Sequence, residues 1–159
     1  MLLAAVDEAF DQGRITVLDM DSAPITFAGY GEPLLRPEVI YDTAQSIKEG
    51  RHGVPLRLET NGLVSLTQSL DVASRLKDSG IDHISIGLHA ENPSQYQKLV
   101  QPLDKKGFGE VCSFVMACVE AGLDVECRAS EAPGVNISSV RQLALSLGAH
   151  DFKSDSYHE

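Results

Sequence analysis

From Ile25 onward, short apolar runs alternate with segments of helical periodicity, and this alternation limits the fold more than any other feature of the chain. The run at 25–28 lacks charges, as suits a strand covered on both faces, and further strands are expected at 54–60, 81–89 and 123–129. Between them Val39, Ile40, Ala44 and Ile47 make one helical face over 37–49, and Leu66, Leu70, Ala73 and Leu76 make another over 66–79. Asn92 is placed to cap a helix opened by Pro93, with Gln95 at the capping-box position. Phe108, Val111, Cys112, Val115 and Cys118 stripe the next helix, and Ile137, Val140, Leu143, Ala144 and Leu147 the last, before a short strand near 150–153. Units of roughly 30 to 40 residues in this order imply right-handed crossovers and a mostly parallel sheet. A complete barrel takes about 250 residues, so the expected fold is a partial (β/α) barrel of about five to six units.

The first 24 residues depart from this pattern. Leu2, Leu3, Val6, Ala9 and Phe10 have helical spacing up to Gly13, and the RITVLDM run at 14–20 reads as a strand ahead of the turn residues Asp21, Ser22 and Pro24. Folded back against 25–28, that strand would cover an open sheet edge. The expected organisation is one domain over 1–159, with an atypical helix and edge strand in 1–24 and β/α units in 25–159.

A formal net charge of -10 argues against a nucleic-acid surface, which needs concentrated Lys and Arg. Lys98, Lys105 and Lys106 form the one local basic group, and a solvated face accounts for them. Three cysteines in apolar surroundings read as reduced thiols of a cytoplasmic protein. The N-terminus has no basic n-region, and no apolar run reaches the roughly 18 residues of a membrane span. The expected partner is a small molecule, with neither nucleic acid nor membrane.

Ligand groups in such a fold belong at the C-terminal ends of the strands. Gly29 and Gly31 bring positive φ or close backbone approach, Glu32 adds a carboxylate, and Pro33 fixes the exit. A tight strand-to-helix turn, with Glu32 as a cap, explains the same residues. Thr60, Asn61 and Gly62 end the next strand, where Asn61 suits a polar ligand or a turn. Glu59 should face the opposite side from Thr60 and pair with Arg57 or another charge. His89 brings a hydrogen-bonding or acid–base group to the third strand end. Strand parity adds Ser85, Arg128 and Ser130 as pocket candidates. His52, His83, His89, His150 and His158 have no zinc-site spacing, and neither a P-loop nor a nucleophile elbow is present.

The segment GYGEP at 29–33, followed by two leucines, resembles the GGEP-type motif of radical S-adenosylmethionine (SAM) enzymes. LRLETNGL at 56–63 is similar to the TNG segment of that superfamily, and HISIGLHAENPSQYQKLVQP at 83–102 to its fourth strand and following helix. The stretch CVEAGLDVECRASEAPGVNISSVRQLALSLGA at 118–149 resembles later elements of the TatD-linked branch. The resemblance implies units two to six of a six-unit core, with Gly29, Tyr30, Gly31, Glu32 and Pro33 at the SAM amino group and Thr60, Asn61 and His89 as further cofactor-binding residues. Gly87 and His89 stand where relatives usually carry a serine and then an asparagine.

The family's CxxxCxxC loop, which holds a [4Fe-4S] cluster, is absent from this sequence. Cys112 and Cys118 lie six positions apart on a predicted helix, where about 100 degrees per residue turns them well away from each other, and Cys127 lies in a predicted strand. The resemblance implies that a full-length form would cleave SAM reductively to a 5'-deoxyadenosyl radical. This chain is expected to be inactive alone, as the SAM-binding part of a core whose cluster strand belongs to a missing N-terminal segment or a partner chain. A cluster-free binding or scaffold module is the alternative. A third reading, a partial-barrel enzyme acting on a small phosphate or sugar, rests on Gly134 near a late helix N-terminus.

Overall fold

A computed structural model of the chain describes residues 25–29, 31–102 and 106–157; the helix and edge strand expected in 1–24 lie outside the described residues, as do Tyr30, Lys105 and His158. Five strands, β1 (Ile25–Phe27), β2 (Leu56–Thr60), β3 (His83–Gly87), β4 (Asp124–Ser130) and β5 (Asp151–Asp155), form one sheet in the order β1-β2-β3-β4-β5. Every neighbouring pair is parallel. Because sequential strands are also spatial neighbours, right-handed crossovers place all the connecting helices on one side. The result is an arc of a (β/α) barrel with one helix-covered face and one open face.

The helices are α1 (Pro37–Gly50), α2 (Ser69–Ser79), α3 (Pro93–Val100), α4 (Phe108–Glu120) and α5 (Ile137–Ser146), and a 3-10 turn at Pro33–Leu35 precedes α1. Pro37 is a first-turn residue of α1, where its missing N–H costs nothing. The Asn92 side chain accepts from the Gln95 amide at 2.9 Å to open α3, while the Gln95 carboxamide oxygen accepts from the Glu91 amide at 3.1 Å, one residue beyond the Asn92 amide of the expected capping box. Asn136 opens α5 in the same way through Ser139.

Strand alternation sorts the core. Leu56 and Leu58 of β2, Ile84 and Ile86 of β3, and Val125 and Cys127 of β4 are fully buried under the helices. Ile40, Ala44 and Ile47 of α1, Val72, Ala73 and Leu76 of α2, and Val111, Phe114 and Val115 of α4 pack against them. Three expected inward residues lie outside. Val39 is exposed, and Tyr41 takes the buried place on α1; Leu66 and Leu70 are exposed because α2 begins only at Ser69 and its inward stripe starts at Val72.

Candidate binding site

The open face carries the other half of the alternation, and it is ionic. Glu126 at mid-β4 accepts from the Ser85 hydroxyl at 2.8 Å and the Arg57 guanidinium at 2.7 Å, with the Lys153 ammonium at 3.2 Å. Burial would raise its carboxyl, but these three donors outweigh that effect and hold it below the usual carboxylate range. Arg57 is thus drawn across to β4, and its distance to Glu59 is a looser 4.0 Å. At the opposite, N-terminal edge of the sheet, His83 meets Asp124 at 2.8 Å and His150 lies 3.6 Å from the same carboxylate. These two histidines are therefore remote from the strand ends where ligand groups gather.

At the C-terminal ends, a hollow of about 230 Å³ is lined by Ala28, Gly29, Gly31, Glu32 and Pro33 after β1, by Glu59, Thr60 and Asn61 at the end of β2, by Gly87 and His89 from β3, and by Arg128 of β4. All the expected site residues except Tyr30, which lies outside the described residues, line this one space. Glu59, Gly87 and Arg128 complete it. The sequence signal for Arg128 was strand parity, since it sits on the open face two residues beyond Glu126. Ser85, offered on the same ground, instead lies deeper with Glu126, and Ser130 is not among the lining residues.

The loop after β1 is held by Glu32. One carboxylate oxygen accepts from the Leu34 amide at 3.2 Å and from the Thr60 hydroxyl, and the other accepts from the Asn61 amide at 2.8 Å. Glu32 therefore caps the 3-10 turn and ties the β1 loop to the β2 end, so three of roughly four lone-pair positions are occupied within the chain. Asn61 is a turn former: its Oδ1 accepts from Leu63 at 3.0 Å, and Gly62 follows with φ 70°. A Cβ at Gly29 or Gly31 would meet nothing within 4 Å, so both leave backbone open to the hollow. Gly29 is not among the positive-φ glycines, so of the two roles open to it close backbone approach is the one it can serve.

His89 adopts φ 63°, unusual for a residue with a side chain, and its amide and that of Leu88 both donate to the Arg128 carbonyl, at 3.1 and 2.9 Å. The imidazole folds over Gly87, where a Cβ would stand 2.6 Å from Nε2. Burial and the Arg128 guanidinium lower the imidazole pKa below its ordinary value, against an upward pull from Asp155. Arg128 Nε is buried and has no hydrogen-bond partner among the described residues. Such an orphaned donor costs about 1–3 kcal/mol.

Beside the hollow, and sharing Glu32 and Asn61 with it, lies a groove of about 600 Å³ whose walls include Leu34, Leu63, Val64, Val72 and Val100. The surface near Gly134 is a shallow hollow with the Glu131 carboxylate in its lining, a poor setting for a phosphate.

The family description "Radical SAM superfamily" matches residues 6–146. The chain belongs to the radical SAM superfamily. It is 32% identical over 114 residues to a GTP 3',8-cyclase of Aquifex aeolicus, covering 72% of this chain and 33% of that protein. A GTP 3',8-cyclase of Trichormus variabilis is 26% identical over 139 residues, covering 84% of this chain and 41% of the relative. The chain thus spans between a third and about two fifths of the length of these two curated relatives. Among solved structures, methylornithine synthase (PylB) superposes with a TM-score of 0.57 at 15% identity, over 79% of this chain and 36% of that one. The carboxyl transferase domain of Rhizobium etli pyruvate carboxylase gives 0.55 at 12% identity, over 82% and 24%. At such identities these two likenesses establish the barrel-type fold alone.

Membership in the radical SAM superfamily implies SAM and a [4Fe-4S] cluster, and the thiols do not suit the cluster. Cys127 points to the helix side of β4, opposite in parity to Arg128, while Cys112 and Cys118 lie on α4. Burial pushes Cys112 up to about 11 and Cys127 up to about 12, and raises Cys118 as well. Cluster ligation requires thiolates, which these surroundings disfavour.

Proposed function

We propose that this chain is the SAM-binding part of a radical SAM core, with the hollow at the ends of β1 to β4 as the seat of the methionyl group. The observation that carries this reading is Arg128, a cation with an orphaned Nε, in the lining of a hollow it shares with carboxylates and open glycine backbone. An α-amino acid group is a zwitterion, and this lining offers a guanidinium for its carboxylate with Glu59, the remaining capacity of Glu32 and loop carbonyls for its ammonium. Tyr30, Pro33, Thr60, Asn61 and His89 complete the proposed binding set, with Thr60 and Asn61 acting by holding Glu32 in place. The adjoining groove, lined by both apolar and polar residues, gives a larger ligand room to extend.

SAM supplies an activated sulfonium and, in the presence of a cluster, a radical; this chain's residues bind and orient it. No described thiol is placed to ligate a cluster, and the sequence has no cysteines beyond these three, so we expect binding without cleavage by the chain alone. That same observation favours a second reading, a cluster-free binding module on the radical SAM fold. The segment at 118–149 supports a place in the TatD-linked branch of the superfamily. Cyclisation of GTP is not inferred for a chain that covers 33% and 41% of the two cyclases.

Calorimetric titration with SAM tests the proposal. Wild-type protein should bind, and Arg128→Gln should lose at least tenfold in affinity while its thermal midpoint stays or rises. Absence of binding by a folded wild type would overturn the SAM reading. Addition of a reductant and iron–sulfur reconstitution should then yield no 5'-deoxyadenosine; its appearance would overturn the expectation of inactivity.

A further inference from the structure

His89, just past the end of β3, is held in a left-handed backbone at φ 63°. Its ring occupies the space a side chain at position 87 would fill, its amide is bonded to the Arg128 carbonyl at 3.1 Å, and Gly87 is the register partner of Arg128 across β3 and β4. Ring and guanidinium therefore line one hollow from adjacent strands. We propose that His89 and Arg128 form one anion subsite: a ligand carboxylate seats on the Arg128 guanidinium, and the His89 imidazole takes up a proton as it does so.

Electrostatics in the hollow described above supply the coupling, whether or not SAM is the ligand. The charged groups around the ring are Arg128 of β4, Asp155 of β5, and Glu32 and Glu59, which line the hollow from β1 and β2. Glu32 is bound to Thr60, Asn61 and Leu34, and Glu59 leans toward Arg57 at 4.0 Å. Without ligand, burial and the guanidinium disfavour an imidazolium, so the ring is neutral at neutral pH. A carboxylate on Arg128 cancels the positive charge that disfavours the imidazolium and offers an acceptor to the ring, which makes the imidazolium easier to form. The proton comes from solvent, and no bond to carbon is made or broken.

Linkage fixes the sign. If ligand raises the affinity of His89 for a proton, a proton raises the affinity for ligand by the same factor. Ligand affinity should therefore rise as pH falls through the bound-state pKa, and level off below the free-protein value, which lies under 6.5. One proton limits the slope to about tenfold per pH unit.

The direct test is an NMR pH titration of the His89 imidazole in excess sodium acetate, against sodium chloride at equal ionic strength. Acetate should shift the midpoint upward in the wild type and leave it unmoved in Arg128→Gln. An unmoved wild-type midpoint would overturn the subsite. Calorimetry with SAM in two buffers of different ionisation heat should show proton uptake in the wild type and none in His89→Asn, a residue that tolerates the left-handed backbone. Uptake persisting in His89→Asn would place the proton elsewhere and also overturn the inference. If acetate moves His89 but SAM does not bind, the subsite stands and the cofactor reading falls.

Discussion

The two faces of the sheet are built from the same strands by opposite rules. On the helix side, Leu58, Ile84 and Val125 are fully buried and hydrophobic packing alone is at stake. On the open side the alternating residues are polar apart from Gly87, and Glu126 and Arg128 show a further division two residues apart on one strand. Glu126 has three donors within 3.2 Å; Arg128, nearer the C-terminal edge, has an orphaned Nε. Among the described residues the deep Glu126 carboxylate is matched by three donors, while Arg128 at the rim keeps an unpartnered Nε. Ligand chemistry is therefore concentrated at the rim.

The sharpest way to break this contrast is to damage each face in turn. Leu58→Ala should cost about 2–5 kcal/mol by equilibrium denaturation, because a fully buried strand residue leaves a cavity that helices on one side cannot close. A cost below about 1 kcal/mol would show that the helix face is not the cohesive one. On the open face, Glu126→Ala should cost about 2 kcal/mol, since it leaves the half-buried Arg57 guanidinium and the buried Ser85 hydroxyl without their acceptor. Its signature is in acid. A carboxyl lowered on folding stabilises above its unfolded value near 4.5 and loses that contribution as pH falls through the lower folded value. Glu126→Gln should therefore flatten the acid limb of the stability curve; an unchanged limb would mean the network is not what holds the lower layer.

Much of this arrangement was legible in the sequence, for identifiable reasons. Element order and parallel pairing followed from period and punctuation, and the site residues converge because parallel neighbours place their C-terminal ends side by side. Pro37 and Asn92 act locally, so their roles were readable. Val39, Leu66 and Leu70 were misplaced because a 3.6-residue stripe can be drawn one phase early when apolar residues also precede the helix. The clamp on Glu32 depends on partners 28 and 29 residues away, and the Glu126 network joins β2, β3, β4 and β5. Such contacts are set by register, which no local pattern displays.

A smaller effect separates the faces at high pH. Folding raises the Cys112 and Cys127 thiols to about 11 and 12, from 9.0, so the unfolded chain ionises first. Stability should decline as pH rises above about 9, and replacing both cysteines with alanine should lessen that decline whatever it costs at neutral pH. Urea midpoints at pH 7, 9 and 10 would measure it, and an equal decline in the double variant would remove the thiols from the account.

The smallest expected change is the most discriminating one. If Arg128 is retained for a ligand, its buried Nε is a liability in the free protein, and an unbranched apolar side chain of similar reach should relieve it. Arg128→Met is expected to stabilise by about 1 kcal/mol, read as a higher urea midpoint, while SAM affinity falls at least tenfold. Glu126→Ala moves stability in the opposite direction from the same strand and the same face. Should Arg128→Met also destabilise, the guanidinium would be supporting the fold like its neighbour Glu126, and the division between a neutralised layer and an unmatched rim would fail.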